Sequence, residues 1–378
     1  LQGIKFFYAL CPTHSIFFAS INLLLRQIEK YLMPDFQQTV GVVGSGTFGT
    51  AIANLLSRKV DVLLYSRNTE TIERINREHQ NFGVKLSPRV SAIGNLQELA
   101  EKCMLIFPVV PSDGFRSTMQ GLGPFLRPYH VLIHGTKGFD VKGINSEQMD
   151  AGLLEPQHIS TMSQVITQET VVKRVGCLSG PNLATEILEG QPTATVIGSV
   201  YEEVIVLGKK VLSSDAFHVF GNHDILGAEL AGVLKNVIAI GSGILRGRGL
   251  GKNIQAMLIT RGLMEMARFG QAMGTTNSAF FGTAGIGDLV ATATSKNSRN
   301  FTFGYRLGQG EKIQDIQASM PELAEGVRTL KITWHLANYY KLRLPITQML
   351  YNIVFDGYNI DKAIKFLITY PYDVDVDF

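Results

Sequence analysis

The sequence predicts an α/β protein: an N-terminal Rossmann-like, doubly wound sheet followed by an all-helical C-terminal domain. Three observations carry this expectation. Short β-branched runs alternate with helical patterns from Thr39 onward, a glycine-rich turn follows the first run, and long apolar-periodic stretches replace the strands after about Gly221.

In chain order the strands read Thr39 to Val43, Val60 to Tyr65, Arg89 to Ile93, Met104 to Val109, His130 to His134 and Arg174 to Leu178. Their alternation with helix-like segments predicts a parallel sheet covered on both faces. The pattern breaks between Phe220 and Asp224, where Gly-Asn and His-Asp precede the first long helix. Residues 33–221 are therefore expected to form the Rossmann-like domain, the fold that binds dinucleotides, and residues 222–378 a helical domain. Helices are expected over Ile225 to Leu245, Asn253 to Met273, Ala324 to Tyr340 and Thr347 to Phe355. The run from Ile225 to Ile244 has spanning length, but Glu229, Lys235 and Asn236 would be costly in hydrocarbon, so it reads as a buried helix and no membrane span is expected.

Residues 1–32 stand apart. The apolar stretch Ser15 to Leu25 after Lys5 superficially resembles a secretory signal, but Pro12 and His14 interrupt the approach to it, and Arg26, Glu29 and Lys30 follow. Met33 lies just before the first strand, so residues 1–32 read as an N-terminal extension outside the fold, with a weakly amphipathic appendage as the alternative.

The 378 residues suffice for two domains. With 35 Lys plus Arg against 32 Asp plus Glu, the net charge of +3 is too small for a general nucleic-acid or membrane-surface binder. Three scattered cysteines, Cys11, Cys103 and Cys177, exclude a disulfide framework, provide no short metal-ligand spacing and suggest a reducing, cytoplasmic location; no metal site is expected. Glycine is in excess, with 38 residues.

The segment Thr39 to Thr50 holds G-x-G-x-x-G at Gly44, Gly46 and Gly49, after a strand and before the Ala-rich stretch Ala51 to Leu56. Gly44 allows the tight turn, Gly46 the approach of a pyrophosphate, and Gly49 close helix–strand packing, while the helix start supplies amide donors. A dinucleotide, NAD or NADP, is the expected cofactor. About 20 residues on, where an acid would select free ribose hydroxyls, the chain has Tyr65-Ser66-Arg67. Arg67 suits a 2′-phosphate or adenine stacking, and is alternatively a solvated loop charge.

In the second half, Lys235 lies mid-helix in an apolar segment and needs water, a counter-ion or a ligand, with a snorkelling stem as the plainer alternative. Its helical neighbours Ala231, Gly232, Ile238 and Ala239 suggest open space beside the ammonium. The loop Gly282 to Asp288 ends in a carboxylate able to pair with Lys235, and Ser298-Arg299-Asn300 gathers donors suited to a phosphate. Gly135-Thr136-Lys137-Gly138 and Ser179-Gly180-Pro181-Asn182 each follow a strand, where open sheets place ligands. Lys137, Lys235 and Arg299 together point to an anionic substrate.

Taken together, GSGTFGTAIA, GTKG, SGPNLATE, LKNVIAIGSG, ITRGLMEMARFG, GTAGIGDL, SRN and the pair Glu325-Gly326 resemble the bacterial-type, cofactor-dependent glycerol-3-phosphate dehydrogenases, from about Thr39 to about Asp356. The resemblance implies that Gly44, Ser45, Gly46, Thr47, Phe48, Gly49, Arg67, Ala184, Leu323 and Glu325 contact the dinucleotide, and that Lys137 serves cofactor and substrate. It further implies that Gly180, Asn182, Asp288, Ser298, Arg299 and Asn300 line a phosphorylated three-carbon substrate, with Arg299 also near the cofactor. Lys235 is then the proton donor and acceptor, and a homodimer is expected. The family usually has Ser or Thr at Asn182, and the stretch Lys142 to Gln168 is longer than expected. Two other readings compete: a related hydroxy-acid dehydrogenase, disfavoured by GTKG and SRN, and a non-catalytic dinucleotide sensor, which would have eroded Lys235, Asp288 or Arg299.

Overall fold

The structure is a computed structural model that describes residues 39–320 and 325–370. Residues 1–32 and Leu323 lie outside the described residues. One eight-stranded sheet comprises β1 (Val40–Val43), β2 (Val62–Tyr65), β3 (Val90–Ile93), β4 (Leu105–Pro108), β5 (Val131–His134), β6 (Arg174–Ser179), β7 (Thr193–Gly198) and β8 (Phe217–Asn222). Their order is β8-β7-β6-β5-β4-β1-β2-β3. Central β1 is buried along its whole length and pairs in parallel with both β2 and β4. The chain leaves β1 in one direction through β2 and β3, then returns to β4 on the other side. That reversal opens a crevice beyond the carboxyl ends of β1 and β4, where doubly wound sheets bind ligands.

Two expectations need correction. The sheet is mixed, because β7 runs antiparallel to β6. In addition, β7 and β8 lie where no strand was expected. Gly221-Asn222, read as a break, still pairs with Ile197 and Gly198 as the end of β8. An edge strand tolerates Gly there because its position is already crowded: a Cβ on Gly221 would lie 2.5 Å from Ile205 Cγ2.

The helices that build and frame the site are α1 (Thr47–Leu56), α2 (Ile225–Gly247), α3 (Lys252–Ala272), α4 (Asp288–Thr294), α5 (Arg299–Gly308), α6 (Glu325–Tyr339) and α7 (Pro345–Phe355). Helix α2 is long and apolar enough to cross a membrane, yet it is buried all round from Gly227 to Leu245 as the core of the helical half. It meets α5 at backbone distance. Added Cβ atoms would lie 2.1 Å from Phe301 O at Gly243 and 2.0 Å from Ile240 O at Gly304. Gly247 and Gly308, one turn further along, are equally constrained, so part of the glycine excess serves helix packing.

The segment between β5 and β6 joins the two halves. Phe139, Met149, Leu154 and Ile159 enter the hydrophobic core of the helical half. Buried Glu265 on α3 caps α7, accepting from Ile346 N (2.6 Å), Thr347 N (3.0 Å) and Thr347 Oγ1 (2.8 Å).

Candidate active site

A cleft of about 530 Å³ lies beyond β1, β2 and β4, lined by Gly44, Gly46, Ser66, Arg67 and Val110 among others. Gly44 has φ +119°, which other residues rarely adopt, and it turns the chain from β1 into α1. The start of α1 has no side-chain cap at Gly46, so its amide donors are available to an anion. A Cβ on Gly46 would meet nothing within 4 Å, whereas one on Gly49 would lie 1.8 Å from Gly44 O. These features fit a pyrophosphate: one glycine leaves room on the open side and the other permits packing behind it. Gly49→Ala should therefore lower the melting temperature sharply. Gly46→Ala should keep it within a degree or two while weakening cofactor binding, a contrast read by calorimetry and nucleotide titration. Equal melting temperatures for the two variants would contradict this division.

Ser45 Oγ donates to Ser66 Oγ at 2.8 Å, linking the glycine turn to the end of β2. Arg67 is exposed at the rim of the cleft beside Asn68. The described lining carries no carboxylate, so neither ribose form is electrostatically opposed. Thr47 is exposed at the first turn of α1; the Phe48 ring packs against Gly135, where a Cβ would lie 2.8 Å from Cε1.

The Gly135–Gly138 loop leads from this cleft to a buried charge cluster. Lys137 Nζ donates to Asp288 Oδ2 (2.6 Å) and to Gly180 O (3.0 Å). Lys235 Nζ donates to Asp288 Oδ1 and, at 2.6 Å, to Thr292 Oγ1. Thr292 in turn donates to Asp288 Oδ1 at 3.2 Å. One carboxylate, 1% exposed, thus serves two ammonium groups, and Lys235 is itself only 6% exposed. Burial lowers the Lys235 pKa to about 8, with Asp288 opposing the shift and Lys137 adding to it. A π-turn over Thr283–Gly287 delivers Asp288 to the start of α4; its packing leaves no room at Gly285, where a Cβ would be 2.0 Å from Phe280 O.

The open space expected beside Lys235 is filled in part by the second lysine. A Cβ on Gly232 would contact the Lys137 Cγ and Cδ atoms at 3.6 Å and Ser179 Oγ at 3.2 Å. The small residue admits the Lys137 stem.

The other expected residues divide by role. Gly180 has φ +132° and holds Lys137 through its carbonyl. Asn182 Nδ2 donates to Thr195 Oγ1 at 2.9 Å, while its Oδ1 is buried without a partner. Ala184 opens a short helix, Ala184–Leu188, that packs on α1. Ser298 caps α5, accepting from Phe301 N, and Asn300 Oδ1 accepts from Gly326 N at 2.9 Å. The Ser298 hydroxyl and the Asn300 carbonyl thus accept from backbone N–H groups, the hydroxyl keeping its own proton to donate, and Arg299 between them is exposed. Glu325 starts α6 near Gly138; burial raises its pKa, opposed by Arg299 and by hydrogen bonds from Ser112.

Sequence reasoning missed three residues. Thr292 was detectable, being four positions after Asp288 on one helix. Asn81 and Glu229 were not. Glu229 ties α2 to the sheet half: it accepts from Thr161 Oγ1 (2.8 Å), Ser163 N (2.8 Å) and Ser163 Oγ (2.6 Å), with His134 Nε2 at 3.0 Å. These partners lie 66 or more positions away.

Two family models match most of the chain. The model described as NAD-dependent glycerol-3-phosphate dehydrogenase N-terminus matches residues 39–205, and the corresponding C-terminus model matches residues 224–365. A Pseudomonas putida protein named glycerol-3-phosphate dehydrogenase (NAD(P)+) is 38% identical over 347 residues, 90% of this chain and 97% of its own. A Carboxydothermus hydrogenoformans protein of the same name is 36% identical over 84% of this chain and 92% of its own. The crystal structure of glycerol-3-phosphate dehydrogenase from Coxiella burnetii superposes with a TM-score of 0.77 at 29% identity, covering 88% of this chain and 99% of that one. The same two-part build, cleft and lysine–carboxylate cluster sit within the matched span, and the chain belongs to the NAD-dependent glycerol-3-phosphate dehydrogenase family.

Proposed function

We propose that this chain reversibly reduces dihydroxyacetone phosphate to sn-glycerol 3-phosphate with NADH or NADPH, supplying glycerophospholipid synthesis. The observation that carries this reading is the Asp288 carboxylate shared by Lys235 and Lys137, one glycine-rich loop away from a cleft suited to a dinucleotide. The nicotinamide ring, when bound, supplies or accepts the hydride at the substrate's C2. The chain's own residues handle the charge and the proton. Lys235 as ammonium stabilises negative charge developing on the C2 oxygen and delivers a proton there; as neutral amine it takes that proton back in the oxidative direction. A pKa near 8 makes both forms accessible around neutrality. Asp288 orients Lys235 and prevents the two lysines from repelling each other. Arg299 and the Asn300 amide hold the phosphate, and Lys137, Gly180 and Asn182 position the remainder of the substrate.

Residues 33–221 on this reading hold the cofactor through Gly44 to Gly49, Arg67, Lys137 and Ala184, and residues 222–378 supply Lys235, Asp288, Ser298, Arg299, Asn300 and Glu325. A cytoplasmic location and a homodimeric assembly are part of the same proposal and rest on the family resemblance. The direct test follows loss of NADH or NADPH absorbance after adding dihydroxyacetone phosphate or phosphate-free dihydroxyacetone. Oxidation with the phosphorylated ketone and little with the other is expected. No oxidation of either cofactor would refute the reaction, and equal rates on both ketones would refute the phosphate site.

A further inference from the structure

Between the helix Thr69–Glu78 and β3 the chain makes a small hairpin, Gln80–Asn81 paired with Val84–Lys85. Phe82 and Gly83 turn it with φ +49° and +72°, the signature of a tight hairpin turn. The next residue, Leu86, is buried and returns a hydrogen bond to His79 O at 2.7 Å. The hairpin contributes nothing to the main sheet. What it delivers is the side chain of Asn81, 1% exposed, beneath the glycine turn.

Every polar atom of that side chain is engaged. Nδ2 donates to Ser45 O and to Thr50 Oγ1, both at 2.9 Å, and Oδ1 accepts from Arg74 Nη2 at 2.8 Å. The fork cannot flip without setting its oxygen against the Ser45 carbonyl. Thr50, also buried, passes the constraint onward: its hydroxyl donates to Gly46 O at 2.9 Å. Two successive carbonyls of the turn are therefore held, one directly and one through Thr50. In a planar trans peptide the carbonyl and the following N–H point in opposite directions. Holding the Ser45 and Gly46 carbonyls on the inner side therefore aims the Gly46 and Thr47 N–H groups away from it, and Gly46 lines the cleft.

We infer that Asn81 is a positioning residue for the pyrophosphate-binding turn, with Arg74 fixing its orientation. It acts through the backbone of residues 45–47 and touches no substrate. The inference rests on the dinucleotide reading of the cleft and assigns a function to a hairpin that otherwise only connects two elements. The arrangement is sensitive to chemistry as well as to shape. A carboxylate of the same size would still accept from Arg74, but it has no proton to donate to Thr50 Oγ1 or to Ser45 O, and it would repel the Ser45 carbonyl and release that peptide.

The experiment uses the full chain and compares the parent with Asn81→Asp and with Arg74→Met. Affinities for NADH, ADP and adenosine are measured by titration, alongside melting temperature and steady-state kinetics with dihydroxyacetone phosphate. For Asn81→Asp, affinity for NADH and ADP should fall about tenfold, the scale of one or two lost hydrogen bonds. Adenosine affinity, kcat at saturating cofactor and KM for the ketone should stay within about twofold, since no hydrogen bond to those groups is removed. A general structural defect would instead reduce all of them together, and that outcome overturns the inference, as does unchanged ADP affinity in a folded Asn81→Asp protein. If Asn81→Asp does not fold, Arg74→Met decides: a selective loss of ADP affinity of about threefold is expected from one weakened orienting bond, and no loss overturns the inference. Failure of the parent protein to bind NADH or ADP would instead overturn the dinucleotide reading and the inference with it.

Discussion

Lys235→Met is expected to lower turnover by about a thousandfold, within the range for removal of a positioned acid–base group, while the affinity for NADH or NADPH stays near that of the parent. The substitution keeps an unbranched, apolar side chain one heavy atom shorter and removes the ammonium. Helix α2 is not expected to suffer, because Lys235 is buried and its charge is a cost to folding. Asp288 would retain Lys137 as its partner. Turnover should therefore collapse in a protein that melts no earlier than the parent. The pH dependence adds an independent readout. With the Lys235 pKa lowered by burial to about 8, kcat/KM for ketone reduction needs the ammonium and should fall as pH rises through about 8. For alcohol oxidation the neutral amine is needed, so kcat/KM should rise through the same value. Both limbs should vanish in Lys235→Met. Persistence of either limb, or turnover within tenfold of the parent, would remove Lys235 from the proton-transfer role.

Asp288→Asn should do damage of a different kind. An amide of the same shape cannot neutralise Lys235 and Lys137, which the carboxylate holds on its two oxygens. Breaking a buried ion pair by removing one partner leaves uncompensated charge; a loss of about 3 kcal/mol is expected, at the low end for such sites. The low end applies because the Lys137 side chain is 19% exposed. The substitution also removes the influence that raises the Lys235 pKa while leaving burial and Lys137, which lower it. The pH limb for reduction should consequently move below 8, and the enzyme should lose reductive activity at neutral pH before it loses cofactor binding. Thermal unfolding measures the first effect and a kcat/KM profile the second. A folded Asp288→Asn protein with the parent's stability and an unmoved limb would show that the carboxylate does not set the charge state of Lys235.

How much of this was legible in the sequence follows the range of the interactions. The glycine turn was readable in full because its parts lie within six positions, Gly44 to Gly49, and its strand and helix are local patterns. The long helix α2 was readable from its composition, and the presence of Lys235 inside it marked a group in need of a partner. Asp288 was nameable as a candidate partner because it ends a glycine-rich loop. That Lys137 shares the same carboxylate was not, since 151 positions separate them and nothing local records the contact. The same holds for Gly232, whose use is to admit a lysine stem from another part of the chain, and for Gly243 and Gly304, which serve the crossing of α2 and α5.

The errors have the same origin. Strand β8 was missed because an edge strand tolerates Gly221-Asn222, which in isolation look like a terminator, and β7 because antiparallel pairing with β6 depends on how the intervening loop folds back. Ser298 and Asn300 also take structural contacts that were not read from the sequence, the Ser298 hydroxyl accepting from Phe301 N and the Asn300 carbonyl from Gly326 N, which leaves their own donors in place.

By itself, the sequence determined the class of fold, the dinucleotide turn, the family and the identity of the lysine at the centre of the site. Those rest on local spacing and on the cost of placing a charge in an apolar helix. Only the tertiary structure decided which carboxylate that lysine meets, that a second lysine shares it, and that Asn81 and Glu229 hold the glycine turn and helix α2 in place. The physical reason is that hydrogen bonds and ion pairs act over about 3 Å in space, whereas their partners here are separated by tens to more than a hundred positions along the chain.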